Sequence, residues 1–228
     1  MPPVPRVKIC CIASLAEARL ALAHGAAALG LVSAMPSGPG VIADDLIAEI
    51  AQAIAKAFPG PTPLTFLLTA KTSAQSIAAQ HAAAGTTTLQ LVDHVPHAEL
   101  RRLRALLPGV QLVQVIHVTG EASVAEAVAV ASFVDAMLLD SGKPTLAVKE
   151  LGGTGRTHDW ALSRRIRDAV FPLPLWLAGG LRAHNVAGAI AAVQPYGLDL
   201  CTGVRTEGQL DPHKLAEFMA AVYRSPLR

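Results

Sequence analysis

The sequence predicts a (β/α)8 barrel, a TIM barrel, spanning residues 1–228 as a single domain. Three observations predict it. Eight short apolar runs recur along the chain, eight helical patterns alternate with them, and the length of 228 residues suits one closed eight-stranded unit. The runs are apolar on both faces, as parallel strands are when an inner core lies on one side and helices on the other. The same alternation also builds an open doubly wound sheet, but eight repeats in this length favour closure. No linker or shift in composition divides the chain.

The expected strands are Val7–Ile12, Ala28–Val32, Leu64–Leu68, Thr88–Leu91, Leu112–Val118, Ala136–Leu139, Leu175–Ala178 and Leu198–Cys201. Between and after them run helical patterns at Leu15–His24, Asp44–Phe58, Ala74–Ala84, His97–Leu107, Ala122–Ser132, Trp160–Ala169, Ala183–Val193 and Asp211–Tyr223. Ser14 precedes the first helix with Glu17 three residues on, the spacing at which a cap and an acidic side chain satisfy each other's backbone amides. Ser73, Asp159 and Asp211 are further N-caps, because their short oxygens accept from free first-turn amides.

Composition narrows the function. A hydrophobic fraction of 52% with 16% charged residues describes a well-buried globular chain. A net charge of +2 gives no broad field for nucleic acid or an anionic membrane, though it leaves room for a local cationic pocket. The three cysteines, Cys10, Cys11 and Cys201, fit neither a disulfide framework nor zinc spacing, which points to a reducing, cytoplasmic compartment. The uncharged run Leu20–Ala43 is long enough for a membrane span but is broken by His24, Gly25, Pro36, Gly38, Pro39 and Gly40. No signal peptide is expected.

In such a barrel the chemistry belongs at the carboxyl ends of the strands. Gly179-Gly180 follows strand seven and Thr202-Gly203 follows strand eight. Glycine lets backbone N–H groups approach an anion, and these two loops are where such barrels commonly bind phosphate. Asp140 ends an apolar strand, where the walls raise a carboxyl pKa toward that of a general acid. Cys10 ends strand one just after Lys8, a cation placed to favour the thiolate that a base requires. The bland alternatives are a loop-capping aspartate and a small buried cysteine.

These residues also carry a resemblance. Lys8-Ile9-Cys10 is similar to the KICG opening of the phosphoribosylanthranilate isomerase family. Leu138-Leu139-Asp140-Ser141, Gly152-Gly153-Thr154-Gly155 and Asp159-Trp160 resemble its LLDS, GGTG and DW blocks. Leu177–Leu181 with Asn185-Val186, then Asp199 with Thr202-Gly203-Val204, resemble its AGGL, ENV and DVSSGVE blocks, and Gln90 fits the glutamine of QLHG. The matches fall in order, at strand ends, along nearly the whole chain.

The resemblance implies an Amadori rearrangement of an N-substituted phosphoribosylamine. Asp140 would protonate the ring oxygen and Cys10, as thiolate, would take the proton from the second sugar carbon. Gly153, Gly179, Gly180, Thr202 and Gly203 would hold the phosphate, with Lys8, Gln90, Asp199 and Arg205 as further binding or organising residues. It implies no metal and no organic cofactor, because the imine is itself the electron sink. The expected partner is a small phosphosugar, with no nucleic acid or membrane, and the chain acts as a monomer or homodimer.

Three departures stand out. The arginine the family uses after strand two falls near Gly40; the glycine after the catalytic cysteine is Cys11; and the family's histidine, glycine and glutamate become Val92, Asp93 and Arg205. Arg205, Lys71 and His117 are the cations that could replace the arginine, Arg205 first. His94 and His97 are expected on the surface, and His158 is a substitution ahead of Asp159-Trp160. A barrel acting on another phosphosugar, or binding a phosphate ligand without catalysis, remains open, although binding alone requires neither Cys10 nor Asp140.

Overall fold

The computed structural model describes residues 4–60, 63–142, 146, 149, 151, 152, 155 and 157–225. Gly153 and Thr154, expected in the phosphate loop, lie outside them. Strands β1 (Arg6–Ile9), β2 (Ala28–Val32), β3 (Leu64–Thr69), β4 (Thr88–Leu91), β5 (Gln111–His117), β6 (Ala136–Asp140), β7 (Leu175–Leu177) and β8 (Gly197–Leu200) close into one barrel in chain order. Every neighbouring pair is parallel, including β1 with β8. Helices α1 (Leu15–Ala23), α2 (Asp44–Ala57), α3 (Ala74–Ala84), α4 (His97–Leu106), α5 (Ala122–Val130), α6 (Trp160–Val170), α7 (Val186–Val193) and α8 (Pro212–Arg224) cover the outside.

The double-sided apolarity of the strands now has its reason. Successive residues face opposite sides of a strand, and here the two sides meet different cores. Ala28, Phe66, Val113, Leu138 and Trp176 fill the barrel interior, while their neighbours Leu29, Leu67, Leu112, Leu139 and Leu177 pack under the helices. Trp176 plugs the interior against Phe66, edge to face at 5.7 Å. Gly197 makes space for it, since a Cβ there would lie 2.3 Å from the indole.

The expected caps form: Ser14 accepts from the Glu17 amide, Ser73 from Ser76, Asp159 from Ala161 and Leu162, and Asp211 from His213 and Lys214. Some boundaries differ. Strand β1 stops at Ile9, short of Ile12, because Cys11 takes φ 62, which an extended strand cannot contain. Helix α7 begins at Val186, not Ala183: Asn185 accepts from the Arg182 amide at 2.8 Å and donates to the Gly180 carbonyl at 3.0 Å, so these residues form a turn. After β8 come a 3-10 turn (Thr202–Val204) and a small hairpin of β9 (Arg205–Thr206) and β10 (Gln209–Leu210), too short to show periodicity. Residues 20–43 divide into the end of α1, β2 and a loop, and among the described residues no helix is long and apolar enough to cross a membrane.

Candidate active site

At the carboxyl ends of the strands lies a cleft of about 670 Å³, its open mouth included. Cys10, Gln90, Asp140, Gly179, Gly180, Asp199, Thr202 and Gly203 all line it, so residues spread over the whole sequence meet there. Lys8 sits below its floor, fully buried, and Arg205 lies outside the lining.

The turns after β7 and β8 form one end. Gly179 and Gly180 have φ of 84° and 60°, the left-handed region where a side chain is strained. A Cβ on Gly203 would lie 2.1 Å from the Leu181 carbonyl, so the two loops touch backbone to backbone. Thr202–Val204 begins a turn of helix here, whose leading amides have no partner within the turn. Two glycine turns and a helical start at one end suit a phosphate.

Asp140 is a buried carboxyl in the cleft lining. Burial pushes its carboxyl up to about 6; Asp199 adds to this, while the Ser141 amide, donating at 2.7 Å, and the Lys8 charge oppose it. Gly152, at φ 130, lies close against the carboxylate: a Cβ there would lie 2.5 Å from Asp140 Oδ2.

Cys10 and Lys8 form the other half. Lys8 Nζ stands 2.9 Å from Asp199 Oδ1, an ion pair whose angle falls outside hydrogen-bond geometry, and 5.0 Å over the Phe66 ring. Burial works against the ammonium, yet the charges of Asp199 and Cys10 together hold its pKa above the ordinary lysine value. Gly30 makes room for both groups: a Cβ there would lie 2.8 Å from Cys10 Sγ and 3.1 Å from Lys8 Nζ. Gln90 is buried in the lining with its side-chain oxygen unpartnered among the described residues, an acceptor left for a ligand.

Cys11, where the resemblance expects glycine, has φ 62, in the left-handed region that favours glycine. Its thiol faces Cys10, Cys201 and the Pro39 carbonyl (3.6 Å), and hydrogen bonding to Cys10 and Cys201, with burial, holds it well above an ordinary thiol pKa. Cys201 is lowered by its bond with Cys11 and by the Arg205 charge, against burial.

Arg205 is a correction to the expected substrate-facing cation. Its Nη atoms donate to both Glu17 carboxylate oxygens (2.8 and 3.0 Å), to Gly208 O (2.8 Å) and to the carbonyls of Cys10 (3.3 Å) and Cys11 (2.5 Å). It therefore clamps the end of β1 to α1 and the β9–β10 hairpin. Lys71 is exposed, and His117 bonds the Val92 carbonyl at 3.0 Å; neither lines the cleft. His94 is exposed as expected, whereas His97 stacks on Phe133 at 4.6 Å. His158 is half-buried and its pKa is lowered to about 4 by burial. Gly30 escaped the sequence reading, as did the contacts that Gly152 makes with Asp140 and Glu17 with Arg205. Gly30 left a signal, a lone glycine inside an apolar strand, which marks close approach.

Fold and cleft together define a (β/α)8 barrel with a buried carboxyl, a thiol and two glycine turns facing one cleft. A family profile described as N-(5'phosphoribosyl)anthranilate (PRA) isomerase matches residues 8–221. The N-(5'-phosphoribosyl)anthranilate isomerase of Thermosynechococcus vestitus is 34% identical over 201 residues, 88% of this chain and 81% of the relative. That of Synechococcus elongatus is 32% identical over 223 residues, 97% of this chain and 98% of the relative. The solved phosphoribosyl anthranilate isomerase of Thermotoga maritima aligns with a TM-score of 0.80 at 25% identity, covering 96% of this chain and 98% of that one. The Thermus thermophilus structure gives 0.77 at 26%, with the same coverage. The chain belongs to the N-(5'-phosphoribosyl)anthranilate isomerase family.

Proposed function

We propose that the chain catalyses the Amadori rearrangement of N-(5'-phosphoribosyl)anthranilate to the carboxyphenylamino-deoxyribulose phosphate. One observation carries the assignment of roles: a carboxyl pushed up to about 6 and a thiol lining the same cleft as two glycine turns. Asp140 in its protonated form gives its proton to the ring oxygen as the bond from that oxygen to the first sugar carbon breaks. The nitrogen lone pair forms the imine. The Cys10 thiolate then takes the proton from the second carbon, and the C–H electrons move into the enolamine, which tautomerises to the ketone.

Gly179, Gly180, Thr202 and Gly203, with Gly153 from outside the described residues, hold the phosphate; Gln90 offers its free oxygen to a sugar hydroxyl. Lys8 and Asp199 act from the barrel floor, orienting Cys10. Arg205 acts at one remove, by fixing the end of β1. The chain works as one domain, alone or as a homodimer, in the reducing cytoplasm, where the Cys10 thiol stays available.

The test is fluorescence-monitored turnover of phosphoribosylanthranilate by the wild type and by Cys10→Ala and Asp140→Asn variants. Loss of general acid or base costs roughly 10²- to 10⁴-fold in rate. Turnover retained in either variant would overturn the assigned roles.

A further inference from the structure

The three cysteines meet where the barrel closes. Ile9 pairs with Leu200, and the Cys10 amide donates to the Leu200 carbonyl at 2.9 Å, so the chain beyond β1 runs beside the chain beyond β8. Cys10, Cys11 and Cys201 all line the cleft. A second cavity of about 630 Å³, its open mouth included, shares Cys11, Pro39, Cys201 and Thr202 with that cleft and adds Arg205. Cys201 is the accessible thiol, half-buried where Cys10 and Cys11 are buried. It is hydrogen-bonded to Cys11, thiol to thiol. That bond and the Arg205 charge hold Cys201 below the ordinary thiol pKa, against burial and the Asp199 charge. The Arg205 side chain is only 7% exposed, and among the described residues its Nε has no hydrogen-bond partner. A cation beside an accessible sulfur favours the thiolate, the form that attacks an oxidant.

We infer that Cys201 is a hydroperoxide-reactive thiol and Cys11 its resolving partner, the two closing to a disulfide that switches the isomerase off. The oxidant is hydrogen peroxide. The Cys201 thiolate attacks one peroxide oxygen, the S–O bond forms as the O–O bond breaks, and the departing hydroxide takes a proton to become water. Cys201 is then a sulfenic acid. The Cys11 sulfur attacks it, giving up its proton to the hydroxide that leaves as a second water. Two thiols are oxidised and one peroxide is reduced. Cys11, not Cys10, shares the second cavity with Cys201. Cys10 and Cys11 do not pair with each other, because adjacent Cα atoms stand about 3.8 Å apart, below the roughly 4.4–6.8 Å that a disulfide spans.

The bridge would reach the chemistry from two sides. Cys11 follows Cys10, and Cys201 precedes Thr202 and Gly203. Thiols in hydrogen-bond contact must approach by roughly 1.5 Å to reach an S–S bond of about 2.05 Å. Cys10 or the turn after β8 therefore shifts, and a misplacement of about 1 Å costs on the order of 100-fold in rate. The loss of turnover rests on the Amadori reading; the thiol chemistry does not.

The test treats reduced wild-type protein with equimolar hydrogen peroxide and reads intact mass and thiol content. The mass should fall by two hydrogens and the free thiols from three to one. Cys10→Ala should still form the bridge. Cys11→Gly, which suits the positive φ at this position, should stop at a Cys201 sulfenic acid that a 1,3-diketone traps. Three surviving thiols, a bridge that persists in Cys11→Gly, or one that disappears in Cys10→Ala would each overturn the assignment. Oxidised wild type should lose turnover about 100-fold and regain it with dithiothreitol, while Cys201→Ser keeps its turnover through the same treatment. An equal loss in Cys201→Ser places the damage at Cys10 and overturns the switch. A reduced wild type with no turnover overturns the Amadori reading instead, and the bridge is still measured by mass.

Discussion

Replacing Asp140 with asparagine should make the protein more stable at pH 8 and nearly inactive. The carboxyl ionises at about 6 in the fold, against 3.8 for an ordinary aspartate. As pH rises through that window the unfolded chain loses its proton first, and the folded state is progressively penalised. The penalty is absent below 3.8, complete above about 6, and amounts to about 3 kcal/mol. Asparagine removes it, but weakens the bond that the Ser141 amide donates to Oδ1 at 2.7 Å, returning about 1 kcal/mol. The net gain at pH 8 is about 2 kcal/mol, or a Tm higher by roughly 4–8 °C for a chain of this size. Circular dichroism melts of both proteins at pH 8, 6 and 4 provide the assay. The advantage should shrink through pH 6 and vanish or reverse by pH 4. An equal or lower Tm at pH 8, or an advantage independent of pH, would refute burial as the cause of the raised carboxyl.

Gly30→Ala places a Cβ 2.8 Å from Cys10 Sγ, so the thiol must move; kcat should fall by roughly 100-fold with a smaller change in KM, and an unchanged kcat would sink the positioning argument. Gly203→Ala drives a Cβ to within 2.1 Å of the Leu181 carbonyl, where neither backbone can yield without opening the turns after β7 and β8. Its KM for phosphosugar, and its Kd for inorganic phosphate, should rise at least about tenfold, the equivalent of one bond to a charged group. Arg205→Met leaves the Glu17 carboxylate and the carbonyls of Cys10 and Cys11 without their donor, lowering stability by about 3 kcal/mol at pH 7. Burial raises the Glu17 pKa, but its bonds to Arg205, Ala13 and Leu210 outweigh that and hold it below 4.5. The stabilisation from the pair is therefore present above 4.5 and lost as pH falls through the depressed value. Wild type and variant should converge in acid; a gap that persists there would count against the ion pair.

The barrel was legible because its signal is redundant. Each strand had to be apolar toward two cores, and the helices α1, α3, α6 and α8 start at side-chain oxygen caps, so boundaries such as Ala28–Val32 and Ala74–Ala84 read directly. The cleft was legible where chemistry demands a residue type: Asp140 at the end of an apolar strand, and the glycines after β7 and β8. Contacts that depend on absent atoms were not. That Gly152 clears Asp140, or that Gly40 clears Cys11, exists only once two distant segments are brought together. Arg205 misled for a related reason. Its position beside the cleft was correct, but the direction of its guanidinium depended on Glu17, which is 188 residues away along the chain.

The ion pair at the floor shows how far the site depends on closure of the barrel. Strand β1 pairs with β8 in a register that sets Lys8 against Asp199, across the seam where the first and last strands meet. The other edge of β1 pairs with β2 through Ile9 and Leu29, which brings Gly30 beside Cys10. Cys10 is thus framed by one neighbour with no side chain and by a cation fixed by the opposite end of the sequence. A slip of one residue at the seam would turn Asp199 outward under the helices and leave Lys8 unpaired inside. Breaking a buried pair in that way costs about 3–5 kcal/mol. The pair therefore specifies the register that assembles the cleft, and the same two side chains set the field around Cys10 and Asp140. Folding and chemistry meet at this seam, because no partial barrel contains both strands in contact.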